Sequence, residues 1–159
     1  MAAHIATGYS RLQIALHWLV AALIVGAYFT DGGMGRVLHE RLNSGAAAMP
    51  LHVWLGSAAL ILIALRVAVR AIRGAPKAHG PAWMALAAAW GHRLLYVLMI
   101  AAPAAGAAAW YLGVTAAADV HGLIANALML VALAHAVIAI AHQVLLRDGT
   151  LLRMARARS

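Results

Sequence analysis

The chain has 159 residues, of which 65% are hydrophobic and only 10% charged, with a mean hydropathy of +0.87. That composition excludes an ordinary water-soluble domain and places the protein in a membrane. The formal charge of +8 would suit nucleic acid, but in so apolar a chain it reads as loops facing an anionic membrane surface; the absence of cysteine excludes disulfides and thiolate-held clusters.

Four uninterrupted apolar runs follow one another, at 12–30, 42–65, 94–118 and 120–146, each near or above the roughly 20 residues a bilayer requires. They predict an all-α, membrane-embedded four-helix bundle forming one domain over 1–159, with helices at about 12–30, 46–70, 86–112 and 119–146. The first run is read as a span and not as a cleaved signal, because "GAYFTDGG" offers no small-x-small site. The stretch "DGGMGRVLHERLNSG" after it is expected to be ordered only in part. Pro103 and Gly106 lie inside the third run and are expected to kink it, which membrane helices tolerate. The connection around "YLGVTAAAD" is tight enough to make the last two helices antiparallel neighbours. No internal repeat, glycine-rich nucleotide loop or low-complexity tail interrupts the pattern, and the basic end "RMARARS" suits lipid headgroups.

Charge orients the bundle. Arg11, Arg66, Arg70, Arg73, Lys77, Arg93, Arg147, Arg153, Arg156 and Arg158 fall on one side, ten of the twelve basic residues. Arg36 and Arg41 fall on the other, beside Asp31, Glu40 and Asp119. The positive-inside bias therefore puts both termini in the cytoplasm. The five tryptophans, Trp18, Trp54, Trp83, Trp90 and Trp110, stand mostly at run ends and suit an interfacial belt.

Nine histidines are unusual in such a chain. His4, His39 and His79 fall in the tail and loops and carry no site. His121 and His135, fourteen residues apart, share a helix face at depths about 21 Å apart. His142 follows two turns on. His52 and Arg66 repeat the fourteen-residue spacing on the second span. By depth the imidazoles sort into an outer pair, His52 and His121, and an inner group, His17, His92, His135 and His142. Ionisable groups within spans usually mark function. Two imidazoles from different helices aimed at one point can clamp a flat metal macrocycle at both axial positions, as in an electron-transfer haem, held without covalent attachment because the chain lacks cysteine. A tetrahedral zinc site is disfavoured, since no cysteine or carboxylate accompanies the histidines in the spans. Depth alone leaves open whether His17 or His92 partners His135. Gly56, one turn after His52, would let a macrocycle approach the backbone. Arg70 suits snorkelling to the membrane surface; Arg66, on the histidine stripe, suits either snorkelling or pairing with a haem propionate.

The segments "YSRLQIALHWLVAALIVGAY", "LHVWLGSAALILIALRVAVR", "GHRLLYVLMIAAPAAG", "HGLIANALMLVALAHAVIAIAHQ" and "DGTLLRM" resemble the bacterial cytochrome b561 family, whose members include a superoxide oxidase. The resemblance covers essentially the whole chain. It implies four transmembrane helices holding two haem b groups, with His17 and His135 as axial ligands of the cytoplasmic haem iron and His52 and His121 of the periplasmic one. It also implies a ubiquinone pocket beside the cytoplasmic haem, to which Trp18 and His142 correspond, and leaves His92 to support a propionate or orient a neighbouring ligand. The activity implied is electron transfer across the membrane, in the sharpest version superoxide oxidation outside coupled to ubiquinone reduction. The alternative is a non-enzymatic subunit passing electrons between quinol and a partner oxidoreductase. The connection between the third and fourth spans is shorter here than in the superoxide-oxidising member, and Asp31, Glu40 and Asp119 offset Arg36 and Arg41 on the surface a small anion would approach.

Overall fold

The computed structural model describes residues 8–45, 48–76 and 81–157. His4, His79, Lys77 and Arg158 lie outside them. The described residues form helices and no strands: α1 (Arg11–Phe29), α2 (Met34–Ser44), α3 (Leu51–Arg73), α4 (Ala82–Leu112) and α5 (Thr115–Ala141). A π-helical turn, His142–Leu146, prolongs α5, and a 3₁₀ turn, Leu152–Met154, closes the described chain. Four segments, 19 to 32 residues long, are long and apolar enough to cross a membrane, α5 counted with its π turn.

Local chemistry sets the ends. Ser10 caps α1 in a capping box: its hydroxyl accepts from the Gln13 amide N–H and its own N–H donates to the Gln13 side chain. The Gln13 Nε2 group then donates to the Gly74 carbonyl at 3.0 Å, tying the start of α1 to the end of α3.

Two boundaries differ from the apolar runs. The 42–65 run is broken, because Gly45 closes α2 in the left-handed conformation and Pro50 opens α3. The segment between the first two spans is therefore not a partly ordered loop but holds a helix, which places His39 on α2, where it bonds Asn43 at 2.9 Å. The 94–118 run is broken at Gly113, whose φ of 70° ends α4, so that Gly113 and Val114 alone connect α4 to α5. At its other end α4 begins at Ala82, more than a turn before the exposed Trp90. Pro103 is accommodated within the continuous α4.

The four spanning helices alternate in direction, so both described termini share one end, the terminal end, and α2 lies at the other, the α2 end. α1 packs on α3, α3 on α4 and α4 on α5, whereas α1 and α5 make at most marginal contact. The seam between these two is bridged by a hydrogen bond from the Tyr28 hydroxyl to Asn126 Oδ1, 2.9 Å.

Most large apolar side chains face outward, and only 6% of the most apolar stretch of α5 and its π turn is buried. A surface of that kind requires lipid around it. Inside, Val20, Ala59, Ile63, Leu95, Met99, Ala102 and Leu128 form an apolar waist at mid-height. A second cluster of Leu38, Val53, Ala109 and Trp110 seats α2 on the bundle. Trp110 is thus buried (4% exposed), with the Arg41 guanidinium 4.6 Å over its ring, and is not part of an interfacial belt; Trp18, Trp54, Trp83 and Trp90 are exposed.

Candidate functional site

The histidines of the spans lie at two levels, above and below the waist. At the α2 end, His52 opens α3 and His121 stands two turns into α5; their ring centroids are 5.7 Å apart and the ring planes cross at 83°. His52 Nδ1 donates to the Ala27 carbonyl of α1 at 2.8 Å, and His121 Nδ1 to the Ala102 carbonyl of α4 at 2.7 Å. Helix α1 thus fixes the His52 ring and α4 the His121 ring. With the Nδ1 proton so committed, a neutral ring keeps its lone pair on Nε2, the state in which imidazole binds a metal.

Backbone space makes the His121 bond feasible. A Cβ at Gly106 would stand 3.0 Å from His121 Nδ1 and 3.1 Å from Cε1, so a side chain there would require the ring to give by a few tenths of an ångström. Pro103 and Gly106, which the sequence marked only as a kink, thereby shape the wall behind this imidazole.

Both histidines line a cleft with about 710 Å³ of space between atoms, part of it open to the surroundings. Its walls are mainly apolar, among them Ile24, Ala59, Ile63, Met99 and Leu128, and Tyr28, Asp31 and Asn126 also line it. Gly56 lines it too, and a Cβ there would meet nothing within 4 Å.

At the terminal end the arrangement is different. His135 of α5 packs edge to face against His92 of α4, with centroids 5.2 Å apart, and His92 Nδ1 donates to the Ala88 carbonyl one turn back. His17 of α1 packs on its neighbour Trp18, and its Nδ1 is buried without a hydrogen-bond partner among the described residues. An orphaned imidazole nitrogen in an apolar bundle calls for a partner. Arg66 and Arg70 both reach over Tyr96, each 5.8 Å from the ring centre, beside a recess of about 280 Å³ that Gln13, Tyr9 and Met154 also line.

Trp18 and His142 do not touch each other directly. The Trp18 indole N–H donates to the Met154 carbonyl at 2.8 Å, which uses its single donor and pins the segment after α5 to α1. His142 Nδ1 donates to Asp148 Oδ2 at 2.7 Å. Asp148, which sequence reasoning noted only as part of "DGTLLRM", is held well below its usual carboxylate range, first by the His142 hydrogen bond and then by Thr150.

Among the described residues no group of three or more histidine, cysteine or acidic side chains could hold a bare metal ion. Paired imidazoles therefore suit a metal whose remaining positions are filled by its own macrocycle. The cleft, with fixed rings, apolar walls and a glycine where the wall must be thin, fits a flat group of that kind.

Comparison with known proteins agrees with this chemistry. A model of the prokaryotic cytochrome b561 family matches residues 8–157. A cytochrome b562 of Cereibacter sphaeroides is 41% identical over 155 residues, 95% of this chain and 97% of that protein. The chain belongs to the prokaryotic cytochrome b561 family, multi-pass membrane proteins that transfer electrons on haem b.

Proposed function

We propose that the protein is a dihaem cytochrome b of the bacterial inner membrane that takes electrons at the α2 end, on the periplasmic side, and delivers them to ubiquinone at the cytoplasmic, terminal end. His52 and His121 would hold the outer haem iron, and His17 and His135 the inner one. The observation that carries this reading is the His52–His121 pair: two rings from different helices, 5.7 Å apart, each with Nδ1 bound to a backbone carbonyl. The partnerless Nδ1 of His17 supports the inner assignment. Because His92 is the ring in contact with His135, it serves the inner site by orienting that ligand or by supporting a propionate. Arg66 and Arg70, with no carboxylate bonded to either among the described residues, suit the anionic edge of the inner group, Arg66 above all.

Bound haem supplies one-electron chemistry. The chain's residues ligate it, keep water from it with the apolar waist, and space two levels across the membrane. In the sharpest form superoxide is the donor, molecular oxygen the oxidised product and ubiquinol the reduced one. Arg36 and Arg41 give the α2 end part of the positive potential that would draw a small anion, although Arg41 is engaged with Trp110.

Purified protein should contain two haems per chain and show reduced-minus-oxidised bands of bis-histidine iron. His52→Ala or His121→Ala should remove one haem, and His17→Ala or His135→Ala the other. One haem per chain in the intact protein rejects the dihaem reading. Superoxide loss that does not depend on an added soluble quinone rejects the coupled activity.

A further inference from the structure

The chain contains four acidic residues, and Asp148 is the one on the side that carries ten of the twelve basic residues. It is bonded to an imidazole. The π-helical turn His142–Leu146 and the left-handed Arg147 (φ 51°), a conformation rare for a residue with a side chain, reverse the chain after α5 and return Asp148 to His142. Both carboxylate oxygens are engaged, Oδ2 by His142 Nδ1 at 2.7 Å and Oδ1 by the Thr150 N–H at 2.9 Å. Next to His142 in the chain, the Gln143 carboxamide oxygen is buried without a hydrogen-bond partner among the described residues, an acceptor open to a donor from a bound molecule. The turn is anchored from the other side by the Trp18 bond to Met154.

Resting on the quinone reading given above, we propose that Asp148 is the positioning residue of the quinone-reducing site: it fixes His142 by accepting a hydrogen bond from its Nδ1–H and leaves Nε2 to deliver protons to the quinone. Reduction of a quinone to a quinol takes two electrons and two protons. The electrons come from the inner haem. For each proton, the Nε2–H bond of the His142 imidazolium breaks as the quinol O–H bond forms, and the neutral ring regains a proton at Nε2 from cytoplasmic water. Asp148 stays ionised throughout, balancing the charge on the ring. The Gln143 oxygen is the acceptor for a quinol hydroxyl. The pairing of a fixed carboxylate with a proton-carrying imidazole follows the same logic as in other acid–base sites.

The test uses the full-length, haem-loaded protein in detergent, a short-chain soluble ubiquinone and the variants Asp148→Asn and Asp148→Glu. Asn keeps the shape and the acceptor for Thr150 but loses the charge. The expected result is an unchanged haem content and spectrum, a KM within about twofold of the parent, and a kcat lowered roughly 10–100-fold, as for loss of a group that orients a working histidine. Asp148→Glu should recover part of that loss. Nitrogen NMR of the His142 ring should show a single Nδ1-protonated tautomer in the parent protein and a mixture in Asp148→Asn. A parent protein that reduces the quinone together with an equally fast Asp148→Asn overturns this proposal and leaves the quinone reading standing. Loss of haem in Asp148→Asn also overturns it, because the carboxylate would then be structural. A parent protein whose haems are reducible yet pass no electrons to the quinone overturns both.

Discussion

Among the described residues, His52 and His121 differ from the other imidazoles in that each reaches across to a backbone carbonyl of a neighbouring helix. The His121 ring packs where residue 106 has no side chain. Gly106→Ala would place a carbon 3.0 Å from Nδ1, so the ring would have to give by a few tenths of an ångström. The expected outcome is a protein that keeps its helical content but loses or broadens the spectral band of one haem, checked by low-temperature difference spectra. Gly56→Ala meets no atom of the protein, so any effect on haem content reports the bound group directly. Asp148 makes a separate prediction. Its lowered pKa means that its contribution to the folded state is complete above the ordinary carboxylate range and is lost only as pH falls through the lowered value. Carbon NMR of its carboxyl group should give a midpoint below 3.8, and His142→Ala, by removing the largest cause, should raise that midpoint toward 3.8.

Among the elements, α1 and α5 form the weak side of the bundle. They are joined by the Tyr28–Asn126 hydrogen bond beside the cleft, where packing contributes little. Interhelical hydrogen bonds in membranes contribute about 0.6 kcal/mol on average, so Tyr28→Phe should lower resistance to unfolding in mixed detergent by about that amount. A loss several times larger would mean that the tyrosine holds more than this one bond. At the α2 end, Arg41 joins α2 to α4 twice, through the Trp110 carbonyl at 3.3 Å and through the ring face. Trp110→Ala should therefore free α2, seen as faster amide exchange over 34–44, because the ring that holds both Leu38 and Arg41 is gone.

For the whole molecule, four spans put both described ends on one side, and the proposal that this side is the cytoplasm rests on the arginine distribution. A fluorescent protein fused at the C-terminus should fold and emit, while alkaline phosphatase fused there should stay inactive; the reverse result would invert the direction of electron flow argued above. The four spans were legible in the chain because the cost of leaving lipid is summed locally, over about 20 residues that need no distant partner. The depths of the histidines were legible for a similar reason, since the rise per residue of a helix is fixed. Family likeness was carried by short polar motifs at the span ends. Other features depended on residues far apart in sequence. Helix α2 was hidden inside an apolar run, because its boundary is set by a left-handed glycine and by packing of Leu38 on Trp110. The meeting of His135 with His92, the carbonyls that hold His52 and His121, and the return of Asp148 to His142 arise from rotations and chain reversals that periodicity does not encode. Hydropathy thus determined that the chain crosses the membrane four times and at what depth each imidazole sits; only packing of one helix on another decided which ring faces which, and therefore where chemistry can occur.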